Sequence, residues 1–241
     1  MIKQKLSDLK IYKKIAAKQS IKVVALGSSD TQRFMCGMHW FDYVELGFKN
    51  YHNHTVGQFI NSGVSNDSTI QLLDRFDNEC AVYCPDLVLL TVGGNDCRLG
   101  HSLETFRSNL LLIHDKIKKI NSDVVFQTFY PTDLERSSGV LLKLGEYSPV
   151  VRQMAEETGS LLIDTEQRWK ALREYDLGLY RTLLRDPTHL NEFGNMVLGL
   201  DISRFFNTGL LIRDGQVDYC KEGLVMQYKI DELNRPQQGA L

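Results

Sequence analysis

Short runs of apolar and β-branched residues recur along the chain, separated by segments whose apolar positions have a helical period. The run from Ile21 to Leu26 ends at Gly27 and predicts a buried strand that enters a turn. Four later runs predict further buried strands: Gly57 to Ile60, Leu87 to Val92, Val124 to Phe129 and Leu161 to Ile163. Strands that alternate with helices in this way are typical of a mostly parallel sheet covered by helices on both faces.

Two of the intervening segments have the clearest helical pattern. One is Leu103 to Ile120, and the other is Glu192 to Phe206, which follows a potential N-cap at Asn191. In α/β sheets of this kind, ligands bind beyond the carboxyl ends of the strands. Functional residues are therefore expected in the loops that follow the strands.

Both ends of the chain and one internal stretch are less regular. Residues 1–20 interleave lysines with apolar residues, which predicts a short amphipathic helix packed on the domain; a basic helix at a membrane surface is the alternative. The stretch from Pro131 to Gly145 predicts a solvated loop, with a lid as the alternative. The tail favours a strand or an arm, with a homo-oligomeric contact as one option, because apolar residues alternate around Leu210, Ile212, Val217 and Tyr219.

The balance of charge and hydrophobicity is that of a soluble globular protein. Of the 241 residues, 43% are hydrophobic and 24% are charged, and the net charge of -2 creates no field that would attract nucleic acid or an anionic membrane. We expect one domain over residues 1–241, with a core at about 21–206, a helix within 1–20 and an extension at 208–241. No segment resembles a signal sequence or a membrane span, so we expect a cytoplasmic protein without membrane insertion.

The cysteines give no sign of a disulfide framework or a metal site. The chain has 5 of them, an odd number without paired spacing, namely Cys36, Cys80, Cys84, Cys97 and Cys220. A zinc site would need further ligands, and no matching pair of cysteines or histidines occurs. We therefore expect free buried thiols and no bound metal.

A serine follows the first predicted strand at the edge of the sheet. Ser29 stands in the segment Gly27 to Thr31, where the strand turns sharply into a predicted helix. Backbone N–H groups near a helix N-terminus can stabilise negative charge that develops beside such a serine. Taken alone, however, the segment favours an ordinary Gly-Ser turn in which Ser29 or Asp30 caps the helix.

Two later segments carry groups that complement a serine nucleophile. Asn95, which follows Gly93 and Gly94 after the third strand, can project a neutral amide donor of the kind that a tetrahedral oxyanion requires; an ordinary turn is the alternative. Asp186 and His189 are spaced so that the carboxylate can accept from the Nδ1–H of the imidazole, which leaves Nε2 facing a substrate. A capping turn with a solvated histidine is the alternative for this pair.

Together these segments resemble the SGNH hydrolases, also called the GDSL esterase and lipase family, over roughly Ile21 to Phe206. Ser29 matches the nucleophile of the first motif, Asn95 the asparagine of the Gly-x-Asn-Asp motif, and Asp186 and His189 the final Asp-x-x-His motif. The resemblance implies a three-layer α/β/α, flavodoxin-like fold with a mostly parallel sheet. It also implies a serine-dependent ester hydrolase without a metal or an organic cofactor.

The chain departs from the family pattern at two positions. Ser28 stands where the family usually has the aspartate of Gly-Asp-Ser, which is not a triad member. Asn66 stands where many members have the glycine of the oxyanion hole, and asparagine tolerates positive φ better than most other non-glycine residues. The implied oxyanion hole therefore consists of the backbone N–H groups of Ser29 and Asn66 and the side-chain amide of Asn95.

The resemblance and the lack of an obvious long apolar groove favour short acyl esters of small molecules, such as O-acetyl esters of carbohydrates. Lysophospholipid or thioester hydrolysis and acyl transfer by the same residues are alternatives, as is a ligand-binding protein on the same scaffold. The last lacks both a dinucleotide fingerprint and a phosphate loop in the sequence. The candidate substrate-binding residues are Arg33, Trp40, Arg98 and Tyr130, although a large aromatic residue such as Trp40 more often fills the core.

Overall fold

A computed structural model describes residues 4–52, 57–137, 139–208 and 217–236. Within these residues the sheet has five strands, all parallel, in the order β2-β1-β3-β4-β5. They are β1 (Ile21–Gly27), β2 (Gly57–Gly63), β3 (Leu87–Thr91), β4 (Asp123–Gln127) and β5 (Leu161–Ile163). Each of the five predicted strands is present, and the predicted parallel α/β sheet is confirmed. The expectation that the second strand is buried is wrong, because β2 lies at the edge of the sheet and Ser62 is its one buried residue.

Helices connect the strands. They are α1 (Lys10–Ala16), α2 (Trp40–Tyr51), α3 (Thr69–Glu79), α4 (Gly94–Arg98), α5 (Leu103–Lys119), α6 (Tyr147–Thr158), α7 (Thr165–Tyr175), α8 (Leu177–Arg181), α9 (Glu192–Phe205) and α10 (Val217–Leu233). The two helices with the clearest sequence pattern are α5 and α9. Ser102 caps α5 by accepting from the Thr105 N–H, and Asn191 caps α9 as predicted, since its side chain accepts from the Gly194 N–H.

The helices form one layer on each face of the sheet. Successive strand residues point to opposite faces, so Val23 and Ala25 of β1 join one apolar cluster while Val24 and Leu26 join the other. The first cluster is completed by α1, α2, α7, α9 and α10, and the second by α3, α5 and α6. This arrangement confirms the predicted three-layer α/β/α architecture.

The register of the strands gathers three loops at one edge of the sheet. Gly27 at the end of β1 pairs with Gly63 of β2 on one side and with Thr91 of β3 on the other. A Cβ atom at Gly27 would lie 2.4 Å from the Thr91 carbonyl oxygen, so only glycine allows this approach. The segments that follow these three strands contain Ser29, Asn66 and Asn95.

The N-terminal segment packs on the sheet through a short helix. Leu9, Ile11 and Ile15 are buried in the first apolar cluster, while Lys14 and Lys10 form ion pairs with Asp86. Lys10 and Lys14 thus flank the buried face of α1, and Lys13 is exposed, as expected for an amphipathic helix on a globular domain. Among the described helices, none combines the length and the apolar character that crossing a membrane requires.

The prediction of a strand or an arm in the tail is wrong where the structure describes it. Residues from Val217 onward form α10, whereas Leu210 and Ile212 lie outside the described residues. The buried residues of α10 recur at helical spacing, namely Cys220, Gly223, Met226, Gln227 and Ile230. The alternation around Val217 was too short to distinguish a strand from the first turn of such a helix.

Two other sequence expectations need correction. The segment from Pro131 to Gly145 was expected to be a solvated loop. Leu134, Glu135 and Arg136 are exposed as expected, but Pro131, Thr132 and Asp133 are buried, and a 3₁₀ helix covers Gly139–Glu146. Asp133 holds the start of this segment against the domain, because its carboxylate pairs with Arg181 and its N–H donates to the Pro187 carbonyl. The expected burial of all thiols is also wrong, since two of the described cysteines are exposed, namely Cys36 and Cys84.

Candidate active site

Ser29 lies in a single tight turn at the end of β1. The Ser28 carbonyl accepts from the N–H groups of both Thr31 (3.1 Å) and Gln32 (2.9 Å), which closes one helical turn around Ser29. The prediction that a helix begins here is wrong, because α2 begins only at Trp40. The start of α2 is fixed instead by the capping interactions of His39, so residues 32–39 form a loop beside the serine.

Asp186 and His189 belong to a tight turn between α8 and α9. The Asp186 Oδ1 atom accepts from the backbone N–H groups of Thr188 (3.0 Å) and His189 (2.9 Å), which locks the carboxylate within its own turn. Its Oδ2 atom lies 2.8 Å from His189 Nδ1. The Arg185 N–H closes the turn by donating to the His189 carbonyl at 2.9 Å.

The two turns bring Ser29 and His189 into contact. The Ser29 Oγ atom lies 3.0 Å from His189 Nε2, although the two residues are 160 positions apart in the sequence. With the Nδ1–H donating to Asp186, Nε2 is left as the acceptor for the serine proton. Burial raises the pKa of Asp186, but the Thr188 N–H and the neighbouring His189 outweigh it, so the net pKa is lowered and the carboxylate is ionised.

Asn95 and Asn66 border the same cleft as Ser29 and His189. The Asn95 Nδ2 atom donates to the Asp67 carbonyl at 2.9 Å and its Oδ1 atom accepts from Arg98 Nε at 3.0 Å, so the amide is held from both ends. Asn66 has a φ of 71°, the left-handed conformation expected at a position where glycine is common in the family. One Nδ2 hydrogen of Asn95 is not used by the Asp67 contact.

A buried aspartate and an arginine connect the loops that carry these groups. Asp96 accepts from the N–H and the hydroxyl of Thr69 and contacts His101 Nδ1, which links α4 to the start of α3. Arg75 donates to the Gly27 carbonyl (3.1 Å) and to Asp67 Oδ2 (2.6 Å). Arg75 was missed by sequence reasoning because an arginine within an amphipathic helix is indistinguishable from a solvated one.

The four candidate substrate-binding residues occupy different surroundings. Arg98 lines the cleft, whereas Arg33 is exposed, pairs with Asp42 and lies outside the described lining. Trp40 is only 2% exposed, and its indole N–H donates to the Asp30 carbonyl at 2.8 Å, which anchors the loop after Ser29. Tyr130 is 5% exposed and lies beneath the turns of Ser29 and His189.

Two further cleft residues have no counterpart among the sequence candidates. Phe34 is 73% exposed, and the Arg185 guanidinium carbon lies 5.5 Å from the centroid of its ring. Arg185 also approaches Asp186 Oδ2 at 3.4 Å. An exposed aromatic ring in a loop gives no periodic signal in the sequence, so only the fold reveals that Phe34 stands next to the serine and the histidine.

His39 ties the serine loop to the start of α2 in its neutral form. Its Nε2–H donates to the Asp30 carbonyl at 3.1 Å, and its Nδ1 atom accepts from the Phe41 N–H at 3.3 Å. A protonated imidazole would lose the second interaction because both nitrogens would then be donors. Burial, which disfavours the charged form, lowers the pKa of His39 from 6.5 to about 4.

Replacing His39 with asparagine is expected to flatten the dependence of stability on pH. Asparagine can cap α2 but does not titrate. In the wild type the unfolded state gains a proton as the pH falls below 6.5, whereas the folded state resists protonation until about pH 4. The stabilisation is therefore complete above pH 6.5 and declines towards pH 4, by up to about 3 kcal/mol.

Urea unfolding of the wild type and His39→Asn, followed by tryptophan fluorescence, tests this expectation. The difference between the two free energies of unfolding should be larger above pH 6.5 than near pH 4. A constant difference over this interval would show that folding does not lower the pKa of His39.

A serine hydroxyl, an imidazole and a carboxylate connected in this order, at the carboxyl edge of a parallel sheet, define a serine hydrolase. The chain belongs to the GDSL-like lipase/acylhydrolase family, whose family model matches residues 25–197. The resemblance to SGNH hydrolases is thus confirmed, and the protein is a serine ester hydrolase.

Similar proteins include acetylxylan esterases. The acetylxylan esterase of Geobacillus stearothermophilus is 24% identical over 176 residues, which cover 68% of this chain and 75% of that protein. The crystal structure of Axe2, an acetylxylan esterase from the same organism, superposes on this chain with a TM-score of 0.67 at 20% identity. The match covers 77% of this chain and 94% of Axe2. The structure of the acetyl xylan esterase AlAXEase superposes with a TM-score of 0.67 at 23% identity, and the match covers 77% of this chain and 99% of AlAXEase.

Proposed function

We propose that this chain hydrolyses short acyl esters of carbohydrates, foremost O-acetyl esters, with Ser29 as the nucleophile. His189 is the general base, and Asp186 orients it. The observation that carries this proposal is the continuous contact from Ser29 Oγ to His189 Nε2 (3.0 Å) and from His189 Nδ1 to Asp186 Oδ2 (2.8 Å). The acetylxylan esterases among the similar proteins support the acetyl and carbohydrate parts of the assignment.

The reaction follows from the direction of these hydrogen bonds. His189 Nε2 takes the Ser29 proton as Oγ adds to the carbonyl carbon of the ester, and the protonated imidazole then gives that proton to the departing alcohol. Water adds to the acyl-enzyme while His189 takes its proton, and Ser29 leaves with the proton returned. Asp186 stays ionised throughout and stabilises the imidazolium.

The oxyanion of each tetrahedral intermediate is stabilised, in this proposal, by the backbone N–H groups of Ser29 and Asn66 and by the Asn95 amide. The positive φ of Asn66 and its place in the cleft support its backbone as a donor. The Asn95 amide is oriented in advance by Asp67 and Arg98, so it needs no reorganisation when charge develops.

Asn95→Ala is expected to lower kcat by about 10² to 10³ while the protein stays folded, because one oxyanion donor is lost. Ester hydrolysis by the purified variant measures the effect, and circular dichroism checks the fold. Asn109→Ala is a matched control, since the Asn109 amide donates to Thr69 Oγ1 outside the cleft lining. Equal rates for Asn95→Ala and the wild type would remove Asn95 from the oxyanion hole.

The acyl side of the cleft favours a small group. Gly94, Phe129 and Leu144 line it together with Ser29 and Asn95. The Phe129 ring is so close to Gly94 that a Cβ atom there would lie 3.2 Å from the ring. A buried ring packed against the oxyanion loop leaves little depth for a long acyl chain.

The open side of the cleft suits a carbohydrate alcohol. Phe34 offers an exposed ring face, and Arg185 offers guanidinium donors beside it. An aromatic face can cover the C–H surface of a sugar ring, while guanidinium N–H groups donate to hydroxyl oxygens. Arg98 adds a second cationic donor on the cleft lining.

A panel of esters tests the proposed substrate class. Acetate release from acetylated xylooligosaccharides and the hydrolysis of p-nitrophenyl acetate, butyrate and octanoate should rank acetyl substrates first. Phe129→Ala should raise kcat/KM for butyrate relative to acetate by about tenfold, because about 1 to 3 kcal/mol of chain-length discrimination is typical of an apolar pocket. A wild-type preference for octanoate would contradict the short acyl site.

A further inference from the structure

A tyrosine hydroxyl connects the turn of Ser29 with the turn of His189. Tyr130 follows β4 and is buried, and its Oη atom has three polar partners. Asp30 Oδ1 is in hydrogen-bond contact with it, the Thr188 carbonyl oxygen lies at 2.7 Å, and the Leu190 N–H donates to it at 3.2 Å. Asp30 directly follows Ser29, and Thr188 and Leu190 flank His189.

The number of protons available for these hydrogen bonds decides whether the Asp30 carboxyl is ionised. The backbone N–H of Leu190 can only donate, so it occupies one of the lone pairs of the phenol oxygen. The Thr188 carbonyl can only accept, and the phenol has a single proton to give. If Asp30 were ionised, two acceptors would compete for that proton, and one of them would face the oxygen without a hydrogen.

A protonated Asp30 satisfies every member of the group. The Asp30 hydroxyl then donates to Tyr130 Oη, the Tyr130 hydroxyl donates to the Thr188 carbonyl, and the Leu190 N–H completes the coordination of the phenol oxygen. We propose that Asp30 is a neutral carboxylic acid in the resting enzyme, and that the chain from Asp30 through Tyr130 to Thr188 fixes the spacing between Ser29 and His189. The kinetic part of this inference rests on the proposed function.

The surroundings of Asp30 favour the neutral form. Burial raises the pKa of its carboxyl; His189 and the hydrogen bond with Tyr130 lower it, and the negative charge of Asp186 raises it, with a raised pKa as the net result. At the start of α2, His39 and Trp40 donate to the backbone carbonyl of Asp30 and not to its carboxyl. A neutral acid in such a place can serve as a hydrogen-bond donor at neutral pH.

Asp30 is thus a positioning residue, since it acts on the reacting atoms through its neighbours. Each end of the chain is one residue away from a group that must stay within hydrogen-bond distance, Ser29 at one end and His189 at the other. Ionisation of Asp30 would remove the first donor and leave the tyrosine between two acceptors. Misplacement by about 1 Å can cost about 10² in rate, so a loss of this chain should be visible in kcat.

Carbon-13 NMR of protein labelled at the aspartate carboxyl carbons measures the charge state directly. The Asp30 resonance is identified by its absence in Asp30→Asn and followed as the pH is raised. We expect the shift of a protonated acid at neutral pH, far above the ordinary pKa of 3.8. A carboxylate shift at neutral pH would overturn the proposal, and this result does not depend on any esterase activity.

Kinetics of three variants test the positioning role. Asp30→Asn keeps a neutral donor and is expected to retain kcat within about fivefold, whereas Asp30→Leu and Tyr130→Phe are expected to lose about 10² with little change in KM. In the wild type, activity should decline at the alkaline pH at which the NMR titration shows that Asp30 ionises. This decline should be absent from Asp30→Asn.

The two rate outcomes that would overturn the positioning role are equal losses in Asp30→Asn and Asp30→Leu, and full activity in Tyr130→Phe. Circular dichroism shows whether each variant folds, and Tyr130→Phe supplies the test if Asp30→Leu does not. Absence of hydrolysis in the wild type on every ester of the panel would instead contradict the proposed function and leave the NMR result standing.

Discussion

Ser29→Ala is expected to lower kcat for ester hydrolysis by about 10⁶. The variant keeps His189 and Asp186 but has no oxygen that can form the acyl-enzyme. Rates on p-nitrophenyl acetate, together with labelling of the wild type by a serine-directed phosphonate, measure the change. Mass spectrometry should place the label on Ser29, and the variant should stay unlabelled.

Ser102→Ala is the matched control for this substitution. Ser102 caps α5 through the Thr105 N–H, away from the cleft lining, so its loss affects stability and leaves kcat unchanged. Hydrolysis and labelling that persist in Ser29→Ala would mean that another residue is the nucleophile.

Asp186→Asn is expected to lower kcat by about 10⁴, because the amide reverses the tautomer of the histidine. The N–H groups of Thr188 and His189 both donate to the Oδ1 position, which fixes the amide oxygen there. The amide nitrogen then occupies the Oδ2 position, which lies 2.8 Å from His189 Nδ1 in the wild type, against 2.9 Å for Oδ1, whose hydrogen bonds from the two backbone N–H groups already engage it. Nδ1 becomes an acceptor, Nε2 carries the proton, and the imidazole cannot accept from Ser29.

Steady-state kinetics and a pH series of unfolding measurements check this prediction. Because the folded-state pKa of Asp186 lies below 3.8, its contribution to stability is complete above that pH and is lost as the pH falls below it; the asparagine variant lacks this decline. Asp176→Asn, which alters the cap of α8, controls for the substitution itself. Wild-type rates in Asp186→Asn would show that the carboxylate does not set the tautomer.

The strands and the family motifs could be predicted because their signals are local. A buried parallel strand needs a continuous apolar run, as in β3, and each of the five predicted runs forms a strand, although β2 at the edge of the sheet is only partly buried. The Asp186 turn is also local, since its carboxylate is held by backbone groups two and three residues away. For the same reason, the α9 cap at Asn191 could be identified from neighbouring residues alone.

Other features depend on contacts between distant segments and left no local signal. The expected helix after Ser29 is replaced by a loop that Trp40 and His39 hold through the Asp30 carbonyl. Thr132 and Asp133 are buried where Asp133 pairs with Arg181, which lies 48 positions later. Phe34 and Arg185 meet across the cleft from distant parts of the chain.

The alternation of strands and helices, the three motifs and the proposed reacting groups could be read from the chain alone, because apolar periodicity and short-range hydrogen bonds are properties of neighbouring residues. The 3.0 Å contact between Ser29 and His189, the partners of the Tyr130 hydroxyl and the exposed face of Phe34 became visible only in three dimensions. These features require strand register and packing to bring remote segments together, and the protonation of a group such as Asp30 depends on the partners that this packing supplies.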